Sequence, residues 1–230
     1  WLGLVGSEMC IRDRFPDRLV DSEIGEVPEG WAVQPIGHAF EINPRRTLRK
    51  GSAASYLDMA NTPTSGHVPA QVAAREFKSG TKFLNGDTLL ARITPCLENG
   101  KSAFIDFLEP DEIGWGSTEF IVLRPKAPLP CYFGYLLCRY EPFKAFAVST
   151  MSGTSGRQRV QNDALSAWQV AVPTSEVGKA FGELIEPLRR SIALRAQENR
   201  CLVELRGLLL PRLISGKLRI ADVEAMVAAS

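Results

Sequence analysis

The 230-residue sequence predicts an α+β fold: one domain of mixed strands and short helices, followed by one long helix. Three observations carry this expectation. Short strand-like runs bounded by Gly, Pro, Asn and Asp turns fill residues 27–174. Between Cys131 and Met151 the aromatics and leucines fall at helical spacing, and beyond Pro173 the apolar residues recur in steps of three and four. The expected segments are an N-terminal tail over 1–26, a domain over 27–174, a long helix over 175–214 and a C-terminal tail over 215–230.

The chain opens at Trp1 without Met, and residues 1–14 show no periodicity that runs on past Phe15; they are read as a truncated or artefactual frame and set aside. Val27-Pro28-Glu29-Gly30-Trp31 reads as a turn, with Pro presetting one corner and Gly closing it, after which Trp31 and Val33 enter a core. Strands are expected at Ser55 to Met59, Thr88 to Ile93, Ser102 to Phe107 and Phe120 to Leu123, with irregular polar connectors at Thr94 to Lys101 and Gly114 to Glu119. Phe133, Leu136, Leu137, Tyr140, Phe143 and Phe146 suit one or two short helices interrupted at Pro142, and Trp168 to Val172 forms a last strand stopped by Pro173.

In the long helix the stripe runs through Phe181, Leu184, Leu188, Ile192, Asn199, Leu202, Leu205, Leu209 and Leu213, weakened in the middle by Arg195 and Ala196. Pro187 should kink it, and Pro211 with Gly216 marks its end. At ~1.5 Å per residue, Val177 to Leu213 reaches roughly 54 Å, more than a small domain needs for its own core. A partner helix is therefore expected, with Leu184, Leu188, Ile192, Asn199, Leu202, Leu205 and Leu209 facing it and Asn199 setting register. The competing reading folds the helix back on its own domain.

With 45% hydrophobic and 23% charged residues the chain can bury a core. It lacks an apolar run of membrane-spanning length and a secretory leader, so a cytoplasmic location is expected. The five cysteines are scattered, with no Cys-x-x-Cys pair, which fits reduced thiols, and no spacing with His38 or His67 matches a zinc site. Net charge is +1, but Val177 to Arg219 carries nine Lys and Arg against four Asp and Glu. Further local cations lie at Arg45, Arg46, Arg49 and Lys50.

The stretch with most chemistry is Gly153-Thr154-Ser155-Gly156-Arg157-Gln158-Arg159-Val160, a flexible polar loop ending in two arginines around an amide. Arg157 and Arg159 can each fork two hydrogen bonds to a guanine edge or a phosphate, and Gln158 can do so to an adenine edge. The loop lacks the Gly-Lys-Ser/Thr ending of a phosphate-cradling P-loop. It suits DNA; the competing reading is a surface turn whose arginines pair with carboxylates. Two readings from other classes stand beside it. One is an enzyme with Cys96 as nucleophile and His38 or His67 as base, and the other a coiled-coil adaptor that binds no DNA.

Taken together, Ile93-Thr94-Pro95-Cys96-Leu97-Glu98-Asn99-Gly100-Lys101, Gly116-Ser117-Thr118-Glu119-Phe120, Gly153 to Val160, and Leu209-Leu210-Pro211-Arg212-Leu213-Ile214-Ser215-Gly216-Lys217-Leu218-Arg219 resemble the specificity subunit of type I restriction-modification systems. The likeness spans Phe15 to Ile220, and Phe15 to Glu23 resembles the stretch before that family's second recognition domain, so a C-terminal half is expected. The resemblance implies a target-recognition domain, a spacer helix in an antiparallel coiled coil, and a second recognition domain supplied in cis or by a homodimer partner. It implies double-stranded DNA, methyltransferase (modification) subunits and a restriction/translocase subunit as partners. S-adenosylmethionine is then expected on the methylating partner, ATP and Mg on the translocating one, and no cofactor or catalytic residue in this chain. On that footing Arg157, Gln158 and Arg159 are expected at bases or flanking phosphates. Thr154, Ser155, Ser117 and Thr118 are expected at phosphates, and Arg92, Thr94, Asn99 and Lys101 on the same face. Glu119 is expected to hold an arginine rather than to read cytosine.

Overall fold

The computed structural model describes residues 15–154 and 156–217. The chain divides into two compact units, Trp1–Ile185 and Glu186–Ser230.

In the first unit a hairpin of β1 (Leu19–Ser22) and β2 (Gly25–Pro28) precedes β3 (Ala32–Pro35), the one-turn helix α1 (Ile36–Ala39) and β4 (Phe40–Ile42). Next along the chain are strands β5 (Ala53–Leu57), β6 (Ala73–Glu76), β7 (Thr81–Phe83), β8 (Thr88–Ala91), β9 (Ser102–Phe104), β10 (Gly114–Gly116) and β11 (Phe120–Pro125). Then come α2 (Phe133–Arg139), α3 (Glu141–Ser149), β12 (Met151–Ser152), β13 (Arg159–Val160), α4 (Asn162–Ser166), β14 (Gln169–Val172) and α5 (Ser175–Ile214). Two four-stranded sheets dominate, ordered β4-β11-β8-β9 and β6-β5-β10-β7. All their pairings are antiparallel except β5 with β10.

The central strands β8 and β11 read as unbroken apolar runs because both of their faces are covered. Successive side chains point to opposite faces. Leu90, Ile121 and Leu123 join a core with Ile36, Phe40, Leu137, Phe143 and Leu165 from the helical side, while Leu89, Phe120 and Val122 meet Leu57, Phe83 and Ile105 on the other. The result is helices, sheet and second sheet stacked in one body. Strand β14 pairs with β3, so the last strand before the long helix is tied to the first residues of the core.

Several expectations meet small shifts with clear causes. The expected interruption falls at Tyr140, between α2 and α3, and Pro142 stands in the first turn of α3, where a proline's missing N–H costs nothing. Gly114-Trp115-Gly116, read as part of a connector, is strand β10. Added Cβ atoms would stand 2.3 Å from the Phe83 ring at Gly114 and 2.5 Å from the Leu57 carbonyl oxygen at Gly116, so only glycine lets this strand slot between β5 and β7. The hairpin β1–β2 runs from the stretch read as tail into the turn expected from Val27.

The long helix begins in the first unit, where Val177, Gly178 and Ala180 are buried. A Cβ on Gly178 would stand 2.3 Å from the Pro128 carbonyl oxygen, so this residue sets how close the helix start comes. In the second unit, Glu186 to Ile214 is helical throughout, and Pro187 and Pro211 both lie inside the helix. Its apolar residues are exposed: Leu188 at 55%, Leu202 at 61% and Ile214 at 78%.

Candidate nucleic-acid interface

The glycine-rich loop is the tip of a hairpin. Met151 pairs with Val160 and Ser152 with Arg159, and Gly153 turns the chain at φ 130°, a backbone conformation that side chains with a Cβ avoid. Arg157 N–H donates to the Thr154 carbonyl at 2.9 Å and closes the tip. Ser155 lies outside the described residues.

The second strand of this hairpin is fastened to the domain from both sides. Thr94 N–H donates to the Gln158 carbonyl at 3.1 Å, and Gln158 N–H donates to Thr94 Oγ1 at 3.2 Å. Arg92 accepts Val160 N–H on its carbonyl at 2.9 Å and donates from Nη2 to the Val160 carbonyl at 2.7 Å. Arg159 is clamped by Glu119, with Nε 2.9 Å from both carboxylate oxygens and Nη2 2.6 Å from Oε1. That fork holds the Glu119 carboxyl below its ordinary pKa and raises the guanidinium's. Glu119 itself sits in a turn in which Ser117 Oγ accepts the Glu119 N–H at 3.1 Å. Its main-chain carbonyl accepts Arg92 N–H at 2.9 Å.

This architecture sorts the expected contact residues into two groups. Arg159, Arg92, Thr94 and Ser117 are committed to holding the hairpin and its neighbouring turn. Lys101 joins them, because its Nζ donates to the Met59 and Ala60 carbonyls. Arg157, Thr154, Thr118 and Asn99 are exposed, and their side chains make no hydrogen bond among the described residues. The half-buried Gln158 likewise keeps its side-chain amide uncommitted. Glu119 holds an arginine, as its sequence context suggests.

The sequence reading did not single out Lys82. It lines a cleft of about 530 Å³ with Arg45, Arg46, Arg92, Gly80 and Thr118. No acidic residue lines that cleft, although Asp87 stands behind Arg46, 2.6 Å from its Nη1. The fully buried Asp87 also accepts Arg124 Nε at 2.7 Å and Leu84 N–H at 2.7 Å, so its charge is compensated three ways.

The cysteine–histidine arrangement finds no support. His67 is wholly buried, with Nδ1 2.9 Å from the Tyr132 hydroxyl and Nε2 3.7 Å from Asp106, and neither His67 nor His38 bonds to Cys96 among the described residues. Burial pushes the Cys138 thiol up to about 12 and leaves it inert. Among the described residues no cluster of His, Cys, Asp and Glu could hold a metal, and no helix is long and apolar enough to cross a membrane.

On the long helix, Leu184 belongs to the first unit and Leu188, Ile192, Asn199, Leu202, Leu205 and Leu209 to the second, and all seven are exposed. Glu186 bonds Arg189 at 2.7 Å and Arg190 at 2.8 Å, which holds its carboxyl at about 2.

No protein-family model matches the chain. In sequence it is 33% identical over 142 residues to the type I restriction enzyme EcoAI specificity subunit of Escherichia coli, covering 59% of this chain and 24% of that protein. It is 29% identical over 159 residues to the EcoEI specificity subunit of the same organism, covering 66% of this chain and 27% of that protein. The chain thus spans about a quarter of the length of these curated relatives. In fold it is similar to the type I restriction-modification S subunit from M. genitalium, with TM-score 0.51 and 15% identity over 81% of this chain and 46% of that one. A chain from a structural study of type I R-M complex assembly and conformational transition gives TM-score 0.51 and 13% identity, over 89% of this chain and 49% of the other.

Proposed function

We propose that this chain, related in sequence and fold to the specificity subunits of type I restriction enzymes, reads one half of a split site in double-stranded DNA. The observation that carries the reading is the contrast within one hairpin. Arg159 is clamped and Gln158 is pinned through its backbone, while Arg157 projects exposed with no partner among the described residues. A reading head needs this combination. The mount must be rigid enough to set register, and the terminal donors must be uncommitted so that base edges satisfy them. Arg157 offers a fork for a guanine edge or a phosphate, Gln158 an amide for an adenine edge, and Thr154 and Thr118 hydroxyls for the backbone alongside. In this reading recognition is this chain's task and chemistry belongs to its partners. In this reading S-adenosylmethionine sits on a modification subunit, and ATP with Mg on a restriction subunit that translocates DNA in the cytoplasm.

The exposed helix supplies the spacing. Its apolar positions run almost symmetrically about Asn199, in steps of three, four, four and four through Ala196 toward Leu184 and of three, three, four and four toward Leu213. An antiparallel helix of the same kind, from another copy or another part of a longer chain, would set Asn199 beside its counterpart. It would also place Glu198 opposite Arg200 and Glu186 opposite Arg212. Two recognition domains would then stand a fixed distance apart, and the remaining helix surface would dock the modification and restriction subunits.

Genome-wide methylation profiling of the host tests the reading. The expected result is a split motif with methyladenine in both halves that vanishes when the gene for this chain is deleted. An unchanged methylation pattern after deletion would leave only an adaptor role for the exposed helix.

A further inference from the structure

The basic cleft beside the hairpin carries two cations, Arg45 and Lys82, beyond those that hold the fold. It is walled by the loop after β4, which carries Arg45 and Arg46, by Gly80 and Lys82 around the start of β7, and by Arg92 and Thr118. The Arg46 charge is spent on Asp87, and its side chain is only 6% exposed. Arg45 is exposed and makes no side-chain hydrogen bond among the described residues. Lys82 has no ion pair there either, its Nζ lying instead 5.2 Å over the Phe77 ring.

Two further features shape the cleft wall. Arg92 Nε is buried and without a hydrogen-bond partner, a donor left unsatisfied at the cleft wall although the same guanidinium spends Nη2 on Val160. Gly80 has φ 150°, and a Cβ there would stand 2.0 Å from the Gly116 carbonyl oxygen, so only glycine lets this wall pack against β10. Thr118 adds an exposed hydroxyl from the turn that positions Glu119. Two uncommitted cations and a hydroxyl, with no carboxylate on the lining, make a cradle for phosphate oxygens.

We infer that this cleft grips a backbone phosphate of the DNA strand whose bases the hairpin reads. Arg45 and Lys82 supply the charge, and Arg92 ties the cleft to the hairpin. The inference rests on the DNA-reading proposal and adds a second, sequence-independent point of contact. Because Arg92 bonds Val160 through both main chain and side chain, phosphate grip and base reading are held at one separation, and one contact sets the register of the other.

The test uses the full chain with Arg45→Gln, Lys82→Gln and the double variant, and Lys179→Gln as a control of equal charge change outside the cleft. Binding to a 30-base-pair duplex library is measured by fluorescence anisotropy across a salt series, and inorganic pyrophosphate is titrated separately while backbone amides are followed by NMR. The expected result is a log–log salt slope shallower by about one for each cation removed, with the selected sequences unchanged and Lys179→Gln like the parent. Pyrophosphate should move the Gly80 and Thr118 amides in the parent and not in the double variant. If the duplex still binds and the slope does not change, the cleft inference falls while the hairpin reading stands. If pyrophosphate binds there but no duplex does, the site is a free-anion site and both DNA proposals fall. If neither binds, both fall as well. Should Lys82→Gln unfold the domain, Arg45→Gln, on an exposed loop, carries the test alone.

Discussion

The two units of this chain treat apolar side chains in opposite ways. In the first, Phe143, Leu137 and Ile121 vanish into a core shared by helices and sheet, whereas in the second Leu188, Leu202 and Leu209 stand between 39% and 61% exposed on a helix. The first unit is a finished hydrophobic solution. The second presents a stripe of exposed apolar surface, and surfaces of that kind mark association. The first unit thus buries its own apolar side chains, while the helix of the second leaves an apolar stripe exposed.

The largest effect expected from this contrast comes from truncating equivalent bulk in each unit. Phe143→Ala should lower the unfolding free energy by ~3–5 kcal/mol, because a fully buried ring leaves a cavity that its neighbours fill only in part. Leu202→Ala should change it by less than ~0.5 kcal/mol in the dissociated chain, yet weaken self-association measured by sedimentation. Equal destabilisation by the two changes would erase the distinction between the units.

A smaller effect concerns two carboxylates, one from each unit. Glu119 is held below its ordinary pKa by its hydrogen bonds to Arg159, and Glu186 is held at about 2 by Arg189 and then Arg190. A depressed folded pKa stabilises above the unfolded value of 4.5, and the contribution is lost as pH falls through the folded pKa. Glu186 should therefore keep its charge to about pH 2 in a carboxyl NMR titration, with Glu119 titrating below 4.5. Because the Glu186 side chain is 40% exposed, its pairing should contribute at most ~1 kcal/mol. Midpoints at the ordinary value would mean that these clamps do not persist in solution.

How much is legible in the sequence divides along the same line. The helix from Ser175 to Ile214 is readable almost to its ends, because its three- and four-residue period survives without reference to anything it touches. The strands β8 and β11 are readable as apolar runs, since burial on both faces leaves no polar alternation to obscure them. Strand β10 is not, because two of its three residues are glycines whose strand character comes from the close neighbours Leu57 and Phe83. At the site, composition singles out the Gly153 to Val160 loop, but which arginine is free depends on Glu119, 40 residues from Arg159 in sequence. Lys82 gives no signal of its own, being one cation in a short strand. Only folding brings it to Arg45 and Arg92.

The proposed recognition centres on one uncommitted guanidinium carried by a clamped hairpin, and the most direct measurement is selection of bound duplexes from a randomised DNA library by the parent and by Arg157→Ala. The variant is expected to keep its unfolding midpoint and to bind ~1–3 kcal/mol more weakly, with one base position relaxed if Arg157 reads guanine or all sequences weakened alike if it holds phosphate. Unchanged affinity together with an unchanged selected sequence would contradict that role.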